Sequence, residues 1–374
     1  MFPRVACVGM KCKQKMRKSS SQISSTLDRI SHDRAPPFRT FGSVQAGVMS
    51  ALAVTSSSFA PGRAILSRSR VRSGSVQTRS RPHIVRASAS VETSFFPIPS
   101  VGLKLEVQSQ KAASGVAKKA PMVFVHGSYH AAWCWSEHWF DYFASRGHDC
   151  YAISCRGQGK SDVPQGVSVA ATLVEHADDV TAFCASLETP PVLVGHSFGG
   201  LVAQQVMCRR NSPELTALAL VASVPPTGNG PMVRRFLARN FIASVKITYA
   251  FIAGAFKTNA ALCRECFFSR DLPESELLAH MGQIAESCNV RLLDLKALDD
   301  VLPIPAPRAG SAPVCVMGGR DDFVVDVEGL EETAEWGRTE AIVMEDAAHD
   351  LMLDTRWERA AAALDGWMAT NVSA

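Results

Sequence analysis

Val192-Leu193-Val194-Gly195-His196-Ser197-Phe198-Gly199-Gly200 joins an apolar, β-branched run to Gly-x-Ser-x-Gly, the pattern of a strand that turns sharply into a helix with a serine at the bend. Glycines at 195 and 199 permit close strand-helix packing, so the Ser197 hydroxyl is expected to project from the carboxyl edge of a sheet. A hydroxyl is a weak nucleophile until a general base takes its proton and a carboxylate orients that base. Both groups follow in the chain. Ala312 to Gly319 reads as a short buried strand, followed at once by Arg320-Asp321-Asp322. Ala341-Ile342-Val343-Met344 reads as another, with His349 just beyond it. Three strand ends can therefore bring Ser197, an aspartate and His349 together for acyl transfer through a covalent serine intermediate. The frame Gly319-x-x-Asp322-x-x-Val325 favours Asp322 as the acid, while Asp321 fits a frame that starts at Gly318.

Acyl transfer also needs two fixed N–H groups aimed at the developing oxyanion. Pro121-Met122-Val123-Phe124-Val125 reads as a buried strand that ends in His126-Gly127-Ser128-Tyr129-His130. In this arrangement the donors are the amides of Ser128 and of Phe198, the latter at the positive end of the helix after the serine. His126 and His130 are expected to brace the loop or, with Tyr129 and Trp133, to line the substrate pocket rather than to move protons. Cys263-x-x-Cys266 lacks both a second pair and a strand-turn-helix context, so it reads as a plain helical pair. The chemistry calls for no metal or cofactor.

The elements that must hold these groups alternate. A strand at Leu103 to Val107 precedes a helix from Trp135 to Arg146, a strand at Cys150 to Ser154 and a helix from Val169 to Leu187. The Ser197 strand follows, then a helix to Arg210 and a strand from Thr216 to Val224. Such alternation predicts an α/β, doubly wound, mostly parallel sheet. The rhythm stops between residues 225 and 311. That stretch is expected to be a helical cap inserted between the sixth strand and the strand bearing the acid. Its Met232 to Lys257 part mixes Phe236, Leu237, Phe241, Ile242, Val245, Tyr249, Phe251 and Ile252 with Arg234, Arg235, Arg239 and Lys246. This composition suits an apolar substrate pocket, a helix resting on an anionic membrane surface, or helices packed on the core.

The elbow, the His-Gly loop and the late Asp and His resemble the α/β-hydrolase superfamily over roughly residues 95 to 372. Within it, Val125-His126-Gly127-Ser128-Tyr129-His130-Ala131-Ala132-Trp133-Cys134-Trp135 resembles the HGxxHxxWxW segment of the plant methylesterase and hydroxynitrile lyase group. The resemblance implies a serine esterase that acts on a small-molecule ester or a lipid. In hydroxynitrile lyases a lysine follows the catalytic histidine, whereas Asp350 stands here, which argues against cyanohydrin cleavage. A serine at the elbow also differs from the aspartate of dehalogenases and epoxide hydrolases. The rivals on the same triad are a plastid lipase and a dephytylase of chlorophyll derivatives. A ligand receptor on a hydrolase fold is a further one.

Charge is unevenly spread along the 374 residues. Up to residue 90 the only acids are Asp28 and Asp33 against sixteen Lys and Arg, so the net charge of +4 says nothing about the folded domain and implies no nucleic-acid partner. Arg-rich, Ser-rich and acid-poor composition marks an organelle transit peptide. Ile84-Val85-Arg86-Ala87-Ser88 resembles a stromal processing site, so residues 1–87 are expected to address the chain to the chloroplast, with the mitochondrion as the rival, and 88–374 to form the hydrolase domain.

Overall fold

Apolar runs without alternation, bounded by turns, belong to strands buried on both faces, and such strands make the centre of this molecule. The computed structural model describes residues 90–372; the expected transit segment lies outside the described residues. In chain order the strands are β1 (Glu92–Ile98), β2 (Leu103–Gln110), β3 (Met122–Val125), β4 (Cys150–Ile153), β5 (Val169–Ala171), β6 (Val192–His196), β7 (Ala217–Val221), β8 (Arg291–Leu293), β9 (Val314–Gly319) and β10 (Ala341–Met344). Eight of them form one sheet in the order β1-β2-β4-β3-β6-β7-β9-β10, and β5 pairs with β8 apart from it. β1 and β4 lie antiparallel to β2, and every other pairing in the large sheet is parallel.

Every residue of β3, β6, β7 and β9 is buried. Side chains alternate between two cores, with Phe124, Val194, Ala219 and Met317 on one face and Val123, Leu193, Leu218 and Val316 on the other. Helices cover both: α1 (Trp133–Ser136), α2 (Trp139–Ala144), α3 (Leu173–Ala185), α4 (Phe198–Cys208), α9 (Val327–Gly337) and α10 (Trp357–Asn371). Between β7 and β9 the chain forms α5 (Gly230–Arg239), α6 (Phe241–Ala253), α7 (Ala260–Phe267) and α8 (Glu274–Ser287) before reaching β8. Among the described residues no helix is long and apolar enough to cross a membrane.

Two helices differ from the sequence expectation. The segment from Trp135 to Arg146 is broken into α1 and α2 because His138 leaves helical geometry (φ −135°, ψ −45°). The helix expected from Val169 starts at Leu173. Val169–Ala171 instead pairs with Arg291–Leu293, and Thr172 opens the helix through a capping box in which its own N–H donates to Glu175 Oε2 at 2.8 Å. The nine cysteines among the described residues are unpaired; seven are buried, and Cys208 and Cys288 are half-buried.

Candidate active site

At the carboxyl end of β6 the chain must reverse into α4 within one residue. Ser197 takes the bend with φ +54° and ψ −122°, a strained conformation for a residue with a Cβ. Packing holds it there. A Cβ on Gly199 would meet the His126 carbonyl oxygen at 2.3 Å, and one on Gly195 would meet the Gly199 carbonyl oxygen at 2.5 Å, so only glycine fits either place. The Ser197 N–H donates to the Val221 carbonyl (3.2 Å), and the Ser197 carbonyl accepts from Val224 (3.1 Å), which ties the bend to the end of β7.

Two further parallel strands, beyond β7 in the sheet, supply the other groups at the same edge. Asp322 follows β9 and His349 follows β10, and His349 Nδ1 donates to Asp322 Oδ2 at 2.7 Å. The second oxygen of Asp322 accepts from the amides of Val324 (2.6 Å) and Val325 (2.9 Å), so the carboxylate is fixed as well as paired. Asp321 is exposed, and its amide donates to the Ala347 carbonyl at 3.0 Å. The structure therefore brings Asp322, not Asp321, to His349. Burial disfavours charge on the His349 ring, but the charge and hydrogen bond of Asp322, helped by Asp350, outweigh it and hold the imidazole above its ordinary pKa. The His349 ring stands 4.6 Å from that of His196, the residue immediately before Ser197. Ser197 and His349 are 6% and 2% exposed, so the pair is shut off from solvent. Among the described residues the Ser197 hydroxyl forms no hydrogen bond of its own.

The loop after β3 passes directly beside the elbow. A Cβ on Gly127 would stand 2.7 Å from Ser197 Cβ, so the loop packs against the serine, and Tyr129 turns the chain away with φ +67°. Phe198, as the first residue of α4, carries an N–H with no acceptor in its own helix. His126 is fully buried, with Nδ1 toward the Gly127 carbonyl (2.7 Å) and Nε2 accepting from Cys155 (2.9 Å), and so braces the loop. Burial drives its pKa down to about 3, so it stays neutral. Trp133 stacks between His130 and His280 and donates to Ser287 Oγ at 2.7 Å.

His130 joins a buried polar group that the sequence did not announce. Its Nδ1 donates to the Ser128 carbonyl (3.0 Å) and its Nε2 to Asp350 Oδ2 (2.8 Å). Both ring nitrogens face oxygen acceptors, and the ring stands opposite a buried carboxylate. Asp350 Oδ1 lies 3.6 Å from His196 Nε2, which itself contacts the His349 carbonyl at 3.2 Å. Burial pushes the His196 ring well below the ordinary histidine pKa, leaving it neutral. Nitrogens of His196 and His349 and an oxygen of Asp350 fall within 4.8 Å of one another, close enough to hold a metal. Nδ1 of His349 and the other Asp350 oxygen are already spent on Asp322 and His130. Tyr129, Phe251, Phe256 and Phe267 form an aromatic wall beside this group. Tyr129 donates to the Phe251 carbonyl at 2.9 Å, and Phe267 lies 6.3 Å from His349. An open cleft of about 1020 Å³ lies at the opposite edge of the sheet, bounded by Pro121, Val192 and Thr216, away from Ser197.

Residues 122–363 match the alpha/beta hydrolase family, and the chain belongs to that family. Among curated proteins it is 32% identical to Methylesterase 1 of Arabidopsis thaliana over 116 residues, covering 30% of this chain and 43% of that one. It is 24% identical to the pFDCC methylesterase MES16 of the same plant over 237 residues, covering 61% and 86%. The chain thus spans less than half the length of the first relative. Among solved structures, a putative aryl esterase from Burkholderia cenocepacia superposes with a TM-score of 0.56 at 19% identity, over 75% of this chain and 99% of that one. That likeness bears on the fold alone.

Proposed function

We propose that the chain is a serine hydrolase of carboxylic esters. The observation that carries this reading is the convergence, at one sheet edge, of a strained and buried Ser197 with the 2.7 Å pair of His349 and Asp322. In the proposed cycle His349 Nε2 takes the Ser197 proton as Oγ attacks the ester carbonyl carbon. The carbonyl electrons move onto oxygen, where the Ser128 and Phe198 amides receive them. The tetrahedral species collapses as the ester C–O bond breaks, and His349 gives its proton to the departing alkoxide. Water then repeats the attack on the acyl-serine, His349 again taking the proton, and the free acid leaves. Asp322 holds the imidazole in the tautomer that leaves Nε2 free to accept.

Aromatic lining by Tyr129, Phe251, Phe256 and Phe267 favours an apolar acid or alcohol part. The names of the relatives favour a small methyl ester. A lipid-like ester, such as the phytyl ester of a chlorophyll derivative or a plastid glycerolipid, is the second reading, supported by the apolar outer side of α6. Plastid import through residues 1–87 belongs to the same proposal and rests on their composition. Turnover of p-nitrophenyl esters from acetate to palmitate tests both readings. Short-chain preference supports the methylesterase reading and long-chain preference the lipid one. Tight ligand binding with turnover far below about 1 per second would instead support a receptor on this fold.

A further inference from the structure

A helix that is apolar all round is normally buried all round, yet α6 is covered on one side only. Ile247 and Ala250 are buried beneath it, whereas Phe241 is 66%, Ile242 81%, Tyr249 61% and Ile252 83% exposed, with Val245 beside them. At about 100° per residue these five side chains fall within one arc of about 100°. The preceding α5 joins α6 at Asn240, which ends one helix and caps the next, and it adds exposed Val233 and Leu237. Single apolar side chains on a surface need no explanation, but seven on two consecutive helices do.

Charge limits what can cover this face. No Asp or Glu occurs between Glu214 and Glu265. Arg235 and Arg239 turn inward to Asp326, while Arg234 is exposed and Lys246 stands at the margin of the α6 face beside Glu265. A second copy docking here would meet the same face, where Arg234 and the Glu265-paired Lys246 leave an excess of positive charge on both sides. A surface that is apolar beneath an anionic layer matches both properties.

We propose that α5 and α6 dock on an anionic lipid bilayer, with Phe241, Ile242, Val245, Tyr249 and Ile252 inserted among the lipids and Arg234 and Lys246 at the headgroups. The inner side of α6 holds Phe251, whose carbonyl accepts from Tyr129 and whose ring packs 5.6 Å from Phe267 beside His349. The docked helix is thus also a wall of the closed Ser197 site, and docking presents that site to esters dissolved in the bilayer. Only this last step rests on the proposed hydrolase activity; lipid binding does not.

Co-sedimentation of the full chain with vesicles of equal parts phosphatidylcholine and phosphatidylglycerol, and with phosphatidylcholine alone, tests the docking. The expected result is binding to the anionic vesicles that falls at least about tenfold in Ile242→Asp/Ile252→Asp, since two apolar side chains leave the lipid. Turnover of soluble p-nitrophenyl acetate should be unchanged in that variant, which shows that it folds. If the chain is inactive, retention of circular dichroism and melting temperature serves the same purpose and leaves the docking test standing. Equal binding of variant and wild type would place the contact elsewhere in the chain and overturn the proposal. So would no binding at all, or a wild-type dimer that the variant abolishes.

Discussion

Truncating Asp350 should unfold the molecule more readily than any comparable change at its surface. Asp350 is fully buried, follows His349 directly, and accepts from His130 Nε2 at 2.8 Å. Asp350→Ala leaves His130 Nε2, itself fully buried, without its carboxylate partner, and breaking one side of a buried pair costs about 3–5 kcal/mol. A domain of this size loses about 2–4 °C of melting temperature per kcal/mol, so the midpoint should drop by roughly 6–20 °C. Asp350→Asn keeps the volume and one acceptor for His130 Nε2, so it should cost less than Asp350→Ala. His130→Leu removes the orphaned polar ring. The double variant with Asp350→Ala should therefore be more stable than the sum of the single losses by about 1–3 kcal/mol. Denaturant unfolding of the four proteins measures this coupling. A loss below about 1 kcal/mol for Asp350→Ala, or strict additivity in the cycle, would refute the coupling of the buried His130 and Asp350.

Four further outcomes follow from the geometry. Asp322→Asn should lower kcat by about 10⁴, because His349 loses both its orientation and the charge that raises it, whereas Asp321→Asn, changed at an exposed side chain, should leave kcat within about twofold; steady-state assays of both separate the two acids. Ester turnover should rise with pH through the elevated His349 value, since only the neutral ring can accept the Ser197 proton, and Asp350→Asn should move that rise to lower pH; a pH profile without a rise above the ordinary histidine range contradicts it. His126 and His176 are held by burial at about 3 and about 4, so the unfolded chain takes up protons first as pH falls. Their stabilisation is full above pH 6.5, and each should lose up to about 1.4 kcal/mol per unit below it, which unfolding free energies between pH 7 and pH 4 can check. Gly199→Ala should abolish soluble expression or turnover, since its Cβ has a backbone oxygen 2.3 Å away and nothing flexible to displace.

Most of the candidate site's layout was legible because each group sits directly after a strand whose apolar run is unmistakable. Ser197 after β6, Asp322 after β9 and His349 after β10 share an edge as soon as the sheet is parallel. The buried polar group was not legible. Asp350 and His130 are 220 residues apart, and no local pattern links them; sequence reading treated Asp350 only as the replacement of a lysine. Helix boundaries failed where a partner strand decided the matter. Val169–Ala171 has the amphipathic look of the helix it precedes, and only the distant Arg291–Leu293 turns it into a strand. His126 was grouped with pocket residues, yet both of its nitrogens are occupied by backbone groups, which spacing alone does not reveal.

Covalent labelling tests the central claim most directly. The chain treated with a fluorophosphonate should gain one adduct by intact mass, and peptide mapping should place it on Ser197, with no adduct on Ser197→Ala or on the heat-unfolded protein. An unlabelled native chain, or an adduct on any other residue, would contradict the account.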